Sequence, residues 1–203
     1  MQGDVIIVDD NSPDGTGRVA DELSSENNKI KVLHRKGKEG LSSAVMEGFN
    51  YATGEIIGVM DADLSHPPEV IPKLVLPILN GESEFALASR YLENEEIEKW
   101  PFIRKITSRG ATILARPLTN ISDPMSGFFF FKKNILVGVT LSPIGYKIML
   151  EILVKGNYQN IKEIPFIFKD RYKGESKLNW REHVNYLGHL TKLYMYVLKK
   201  AII

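Results

Sequence analysis

The chain has 203 residues, 43% of them hydrophobic and 25% charged, with a formal net charge of +1 and no cysteine. The length suits one α/β domain with a buried core. The charge gives no global attraction to nucleic acid, so any anion must be held by local clusters, and the missing thiols exclude disulfides, thiolate nucleophiles and Cys-based metal centres.

Asp4–Val8 opens the chain as a short apolar strand, followed by a helical pattern over Thr16–Ser24 with Val19 and Leu23 on one face, and a strand at Ile30–His34. A helix over Ser43–Ala52 is expected to turn Val45, Phe49 and Ala52 inward and to stop at Gly54. Glu55–Met60 is apolar enough for a central strand and runs into Asp61-Ala62-Asp63. Pro67 and Pro68 suit the first turn of a helix reaching about Asn80, which Pro72 and Pro77 should kink or shorten. Further strands are expected at Phe85–Ser89, Phe128–Phe131 and Glu163–Phe168, with helices over Pro101–Leu118 and from Asn179 to Ile203. The alternation predicts a mostly parallel sheet flanked by helices, in a single domain over residues 1–203. Parallel sheets place ligands at the carboxyl ends of their strands. Asp9-Asp10, Asp61-Ala62-Asp63 and Ser89-Arg90-Tyr91 each follow a strand, so the three motifs should meet at one sheet edge.

No stretch reaches the roughly 18 uncharged apolar residues of a membrane span, and no signal peptide opens the chain. The expected location is the cytoplasm, or a membrane surface that the chain does not cross.

Asp61 and Asp63, at i and i+2 beyond a strand, can point to one side. Hard oxygen donors of this kind suit Mg²⁺ or Mn²⁺ shared with substrate phosphates. The plainer alternative is a strand-to-helix loop in which Asp63 or Ser65 caps the helix. Asp9 to Thr16 is a dense turn signal in which Asp14 or Thr16 could cap a helix, while the paired acids could hold a ribose or a base edge. The basic loop Arg35–Leu41 could cradle a phosphate before a helix or could be a solvated loop, and the loop reading is the simpler. Arg90 and the basic loop Arg171–Lys177 offer a bidentate guanidinium and point charges for phosphates. The last helix carries Tyr186, Leu187, Leu190, Leu193, Tyr194, Val197 and Leu198 among Lys192, Lys199 and Lys200, a pattern that fits either a membrane interface or a core-facing helix. His183 and His189 read as ordinary helix residues.

The segments VDDNSPDGT, GLSSAVMEGF, ATGEIIGVMDADLSHPPEVIPKLV, ASRY, SRGA, SDPMSGFFFF and DRYKGESKL resemble, in order and spacing, the dolichol-phosphate mannosyltransferases of glycosyltransferase family 2. The resemblance implies the GT-A fold and an inverting, metal-dependent transfer from a nucleotide sugar, usually GDP-mannose, to dolichyl or another polyprenyl phosphate at a membrane surface on the cytoplasmic side. It implies Asp61 and Asp63 as ligands of Mg²⁺ or Mn²⁺ and of the diphosphate. Ser65 stands where some members place a third metal ligand. Val8, Asp10 and Ala62 match nucleotide contacts. Arg90, Arg171 and Lys177 match cations that clamp the phosphates, and Arg109 lies on a helix thought to face lipid. The acceptor phosphate is already anionic near neutral pH, with a second pKa of about 6, so little base catalysis is needed. Asp123 is the nearest candidate base, but a turn role suits it better. Members of the family open with an additional strand and a PTYNE-like turn that do not precede Asp4 here, so the N-terminal strand is expected to be missing. A family 2 enzyme using UDP-glucose, or a non-catalytic module binding a lipid phosphate or a partner, are the competing readings.

Overall fold

The computed structural model describes residues 3–92, 102–168 and 180–202, and divides into two compact units, Met1–Gly54 and Glu55–Ile203. In the first unit, β1 (Val5–Asp9) pairs in parallel with β2 (Ile30–His34), Val5 facing Ile30 and Asp9 facing His34. Helix α1 (Thr16–Glu26) joins the two strands, and α2 (Leu41–Tyr51) follows and packs on β1. Val19 and Leu23 are exposed, and Gly17 and Ala20 are the residues that α1 buries. The helix approaches β1 and β2 closely at Gly17: a Cβ there would lie 2.7 Å from Asp9 Oδ2 and 3.2 Å from His34 Cε1, so a larger residue would have to displace the Asp9 carboxylate. In α2, Phe49 is buried as expected, beside Ser42 and Ala44, while Val45 and Ala52 are only half-buried.

In the second unit, β3 (Ile56–Val59), β4 (Phe85–Ser89), β5 (Phe129–Lys132) and β6 (Ile161–Pro165) form a sheet in the order β3-β5-β4-β6. β3, β4 and β6 run in one direction and β5 runs against them. Every residue of β4 is buried, because the strand has a laddered neighbour on each side and packed layers on both faces. Ala86 and Ala88 face α3 (Ile71–Leu79), where Leu74, Ile78, Phe128 and Phe166 close the core. Phe85 points to the opposite face and stacks with Phe129 and Phe131 at 5.8 and 5.9 Å. This alternation is the period of two expected of a strand covered on both sides. Pro72 sits in the first turn of α3, where it costs nothing, and the helix stops two residues after Pro77 with Gly81 left-handed at φ +74°.

Helices α4 (Phe102–Ala115) and α6 (Trp180–Ile202) are tied by two tyrosines. Tyr186 Oη donates to the Ala111 carbonyl and Tyr194 Oη to the Leu114 carbonyl, each at 2.6 Å. Beneath them lies α5 (Ile148–Lys155), which the sequence reading did not anticipate. Almost all of α5 is buried, so it shows no amphipathic period by which it could be recognised.

One expectation fails here. The strands form two sheets, not one: Asp9-Asp10 ends a strand of the first, and Asp61 and Arg90 follow strands of the second. Among the described residues, β1 has a ladder partner only in β2, and β3 only in β5.

Candidate active site

In the second unit the site is built from three loops. The first leaves β3 at Asp61. Ser65 is buried; its hydroxyl donates to Asp63 Oδ1 at 2.5 Å and its backbone N–H donates to the same oxygen at 3.1 Å. Leu64, between them, is left-handed at φ 64° with an exposed side chain. That conformation costs a non-glycine residue about 1–2 kcal/mol, and the Ser65–Asp63 bonds hold it. The loop returns through His66, whose Nδ1 accepts the Asp61 N–H at 2.9 Å. The His66 ring is buried, stacked on Phe128 at 5.0 Å and edge-on to Phe166 and Phe168. Burial pushes its pKa down, against the pull of Asp61 and Asp63.

The second loop follows β4. Arg90 donates from Nε and Nη2 to the two oxygens of Asp123, both at 2.7 Å, and its backbone N–H reaches Asp123 Oδ2 at 3.1 Å. Asp123 has no solvent exposure. Burial works against the Arg90 charge, but the Asp123 carboxylate outweighs it and holds the guanidinium pKa above the ordinary arginine value. A carboxylate bound in this bidentate way is an anchor, so Asp123 is not available as a base. The third loop, Ser122–Gly127, is fixed at its start by Glu163, whose oxygens accept the Ser122 N–H at 2.9 and 3.0 Å. At its end Gly127 lies beside Asp61: a Cβ there would stand 3.6 and 3.9 Å from the Asp61 oxygens and 3.2 Å from His66 Cε1.

A divalent cation suits this arrangement. Asp61 and Asp63 are both partly exposed, sit on one constrained loop, and offer hard oxygens beside a residue with no side chain to crowd them. Among the described residues no three His, Cys, Asp or Glu side chains form a metal-holding group, so two carboxylates would be completed by phosphate oxygens or water. Ala62 is exposed between the two acids. Ser65 is committed to Asp63, and the geometry gives it the part of orienting that carboxylate.

Lys147, at the start of α5, went unnoticed in the sequence because nothing around it has a motif or a period. Burial first, and then the Arg90 charge, push its pKa down to about 7, while Asp123, Asp61 and Glu182 oppose the shift. His66 was also overlooked, although its place directly after the acidic loop and before Pro67-Pro68 is a signal that could have been used.

In the first unit, Val8 is half-buried against α2, its Cγ2 being 3.5 Å from where a Cβ on Gly48 would lie. Asp10 is ion-paired with Arg35. Arg35 also reaches Glu39 at 3.0 Å, Glu47 at 2.8 Å and Ser43 at 2.7 Å. The arginine of this loop is buried and engaged by local acids, whereas the plainer reading made the loop a solvated one; Lys36 and Lys38 are exposed. Asp9 is buried and takes the Ser12 N–H, and that contact with Ser12 and its neighbour His34 hold its pKa below the usual carboxylate range despite desolvation. Asp14 takes the N–H and hydroxyl of Thr16 at 3.1 and 2.6 Å, a local turn one residue before the helix cap; the cap of α1 is Gly15, with no side-chain cap bond, so neither Asp14 nor Thr16 is the N-cap. Arg171 and Lys177 lie outside the described residues.

Residues 3–138 match the family model described as glycosyl transferase family 2. The chain is 48% identical over 194 residues to the dolichol-phosphate mannosyltransferase of Pyrococcus furiosus, covering 94% of this chain and 54% of that protein. It is 44% identical over 198 residues to the enzyme of the same name from Mycosarcoma maydis, covering 95% of this chain and 67% of that protein. With the Saccharomyces cerevisiae protein of that name the identity is 41% over 202 residues, covering 95% and 75%. The chain therefore spans about half the length of the first of these relatives. Among solved structures, mannosyl-3-phosphoglycerate synthase from Rubrobacter xylanophilus superposes with a TM-score of 0.65 at 14% identity, covering 99% of this chain and 65% of that one. Glucosyl-3-phosphoglycerate synthase from Mycobacterium tuberculosis, in complex with Mn²⁺, UDP-glucose and phosphoglyceric acid, gives 0.61 at 18%, covering 93% and 67%. These structures share the GT-A fold with this chain, and together with the family match and the relatives they lead to one assignment: the chain belongs to glycosyl transferase family 2.

Proposed function

We propose that this chain transfers mannose, with inversion, from GDP-mannose to dolichyl or another polyprenyl phosphate at a membrane surface. The observation that carries the reading is the identity of 41–48% to proteins named dolichol-phosphate mannosyltransferase, over 94–95% of this chain. One family model running across both compact units supports reading them as parts of one transferase domain.

Asp61 and Asp63 would hold Mg²⁺ or Mn²⁺, which neutralises charge gathering on the departing diphosphate; Mn²⁺ in the solved neighbour with UDP-glucose supports the metal class. Ser65 keeps Asp63 turned toward that position. Asp123 fixes Arg90 so that its guanidinium enters the site in one orientation without a search. By family resemblance Arg171 and Lys177 add charge for the donor and acceptor phosphates, and Val8, Asp10 and Ala62 contact the nucleotide. The acceptor phosphate attacks as an anion, so the protein's tasks are positioning and charge compensation. Loss of one metal ligand removes several kcal/mol of transition-state stabilisation, so Asp63→Ala is expected to lower transfer at least about 10³-fold. The measurement is radiolabelled mannosyl transfer to dolichyl phosphate, with circular dichroism to show an intact fold. Transfer retained in that variant sinks the metal role, and transfer from UDP-glucose in preference to GDP-mannose moves the donor assignment.

Lys147 gives a pH signature. Its pKa of about 7 in the ligand-free protein lies below its ordinary 10.5, so it is largely neutral between those limits. A diphosphate near Asp61 and Arg90 favours the ammonium form. Binding of GDP-mannose should therefore take up protons in that window, and affinity should fall as pH rises through it. Calorimetry at about pH 8 in buffers of different ionisation enthalpy measures the uptake. Lys147→Met should abolish it, and undiminished uptake in that variant rules this group out.

No described helix is long and apolar enough to cross a membrane. On α6, however, Trp180, Val184, Leu187, Met195, Leu198 and Ile202 are exposed at helical spacing, on a helix whose Tyr186, Leu190 and Leu193 are already buried in the core. This second apolar stripe, with Lys199 and Lys200 in the last turn, supports peripheral attachment to the cytoplasmic membrane face. Leu187→Glu with Leu198→Glu should cut co-sedimentation with anionic lipid vesicles while nucleotide binding persists; sedimentation equal to the parent chain would place attachment elsewhere.

A further inference from the structure

The carboxylates of the acidic loop act only if the loop holds one shape, and two things in the structure hold it. Ser65 bonds to Asp63 at one end. At the other end the Asp61 N–H meets an imidazole nitrogen. We propose that His66 is the positioning residue of this loop: its neutral ring, locked among Phe128, Phe166 and Phe168, accepts the Asp61 N–H through Nδ1 and so sets Asp61 and Asp63 for a divalent cation and a diphosphate. The inference rests on the metal reading given above.

Four observations converge on it. The ring is only 3% exposed, so it makes no general solvent contact and its orientation is decided by packing. Phe128 lies nearly parallel to it, at 18°, while Phe166 and Phe168 meet its edge at 65° and 72°. Gly127 approaches so closely that a Cβ would come within 3.2 Å of Cε1, which closes the last side of the slot. Within that slot Nδ1 stands 2.9 Å from the Asp61 nitrogen. A backbone N–H can only donate, so Nδ1 must be the unprotonated nitrogen and the proton must sit on Nε2. The same Gly127 backs the Asp61 carboxylate, so one short segment fixes both the ring and the space beside the acid. The aromatic packing thus passes its rigidity, through one hydrogen bond, to the main chain that carries both carboxylates. Partners of this outer-shell kind typically alter metal affinity by about 10–100-fold when removed.

Two substitutions separate the hydrogen bond from the packing. Asn at position 66 puts its amide oxygen near the place of Nδ1; Gln puts its amide one carbon farther out. Both lose the ring. Mn²⁺ binding in the presence of GDP, followed by electron paramagnetic resonance, should weaken about 10–100-fold in His66→Gln and much less in His66→Asn. Equal loss in the two variants overturns the inference. Independently, long-range ¹H–¹⁵N correlation on the metal-free parent chain should show the Nε2–H tautomer of His66 near neutral pH, and an Nδ1–H tautomer or an imidazolium there overturns it. If the parent chain binds no Mn²⁺, the metal reading has failed. The positioning claim is then decided by hydrogen exchange at the Asp61 amide, expected slow in the parent and in His66→Asn and faster in His66→Gln; equal rates in all three overturn it.

Discussion

The buried fork between Arg90 and Asp123 is the constraint on which the candidate site depends. A carboxylate with no solvent exposure would be costly if unpaired; Asp123 tolerates its burial because the half-buried Arg90 guanidinium bonds both of its oxygens. Such a pair adds little net stability, yet breaking it costs about 3–5 kcal/mol. Its consequence is placement. It ties the end of β4 to the loop before β5, and that loop carries Gly127 and Phe128 to the acidic turn. Through His66 the same tie reaches the main chain at Asp61. Three loops from three strands are thereby held in one arrangement before any substrate arrives, which is what positioning catalysis requires.

The energetic support for this arrangement comes from the sheet. β4 is buried along its whole length, with alanines toward α3 and a stack of phenylalanines on the other face. Small residues on one side let the helix approach closely, and large ones on the other fill the space toward the remaining core. A left-handed Leu64 and a buried ion pair are both locally unfavourable, and they persist because this rigid base overdetermines them.

The sequence was most informative where hydrophobicity alternates or where a strand ends in polar residues. Ile30–His34 and Phe85–Ser89 appear with the expected limits, and the other expected strands lie within two residues of their expected starts. The acidic pair and Arg90 stood out because composition changes abruptly after apolar runs. Other features left no such trace. Helix α5 is buried on almost every side, Glu151 included, so it has no solvent-facing polar stripe to mark it. The partnership of Arg90 with Asp123 spans 33 residues and belongs to tertiary structure alone. Lys147 is perturbed by groups that only the fold brings near it. The division into two sheets follows from which strand edges hydrogen-bond, a property that strand patterns do not encode.

The account stands or falls on whether the loop from Asp61 to His66 is a prearranged site for a metal-bound nucleotide diphosphate. Calorimetric titration of the chain with GDP-mannose, first with Mn²⁺ and then with EDTA, tests this most directly. The account predicts saturable binding with Mn²⁺ that disappears with EDTA. Binding of equal strength under both conditions, or no binding under either, would contradict it.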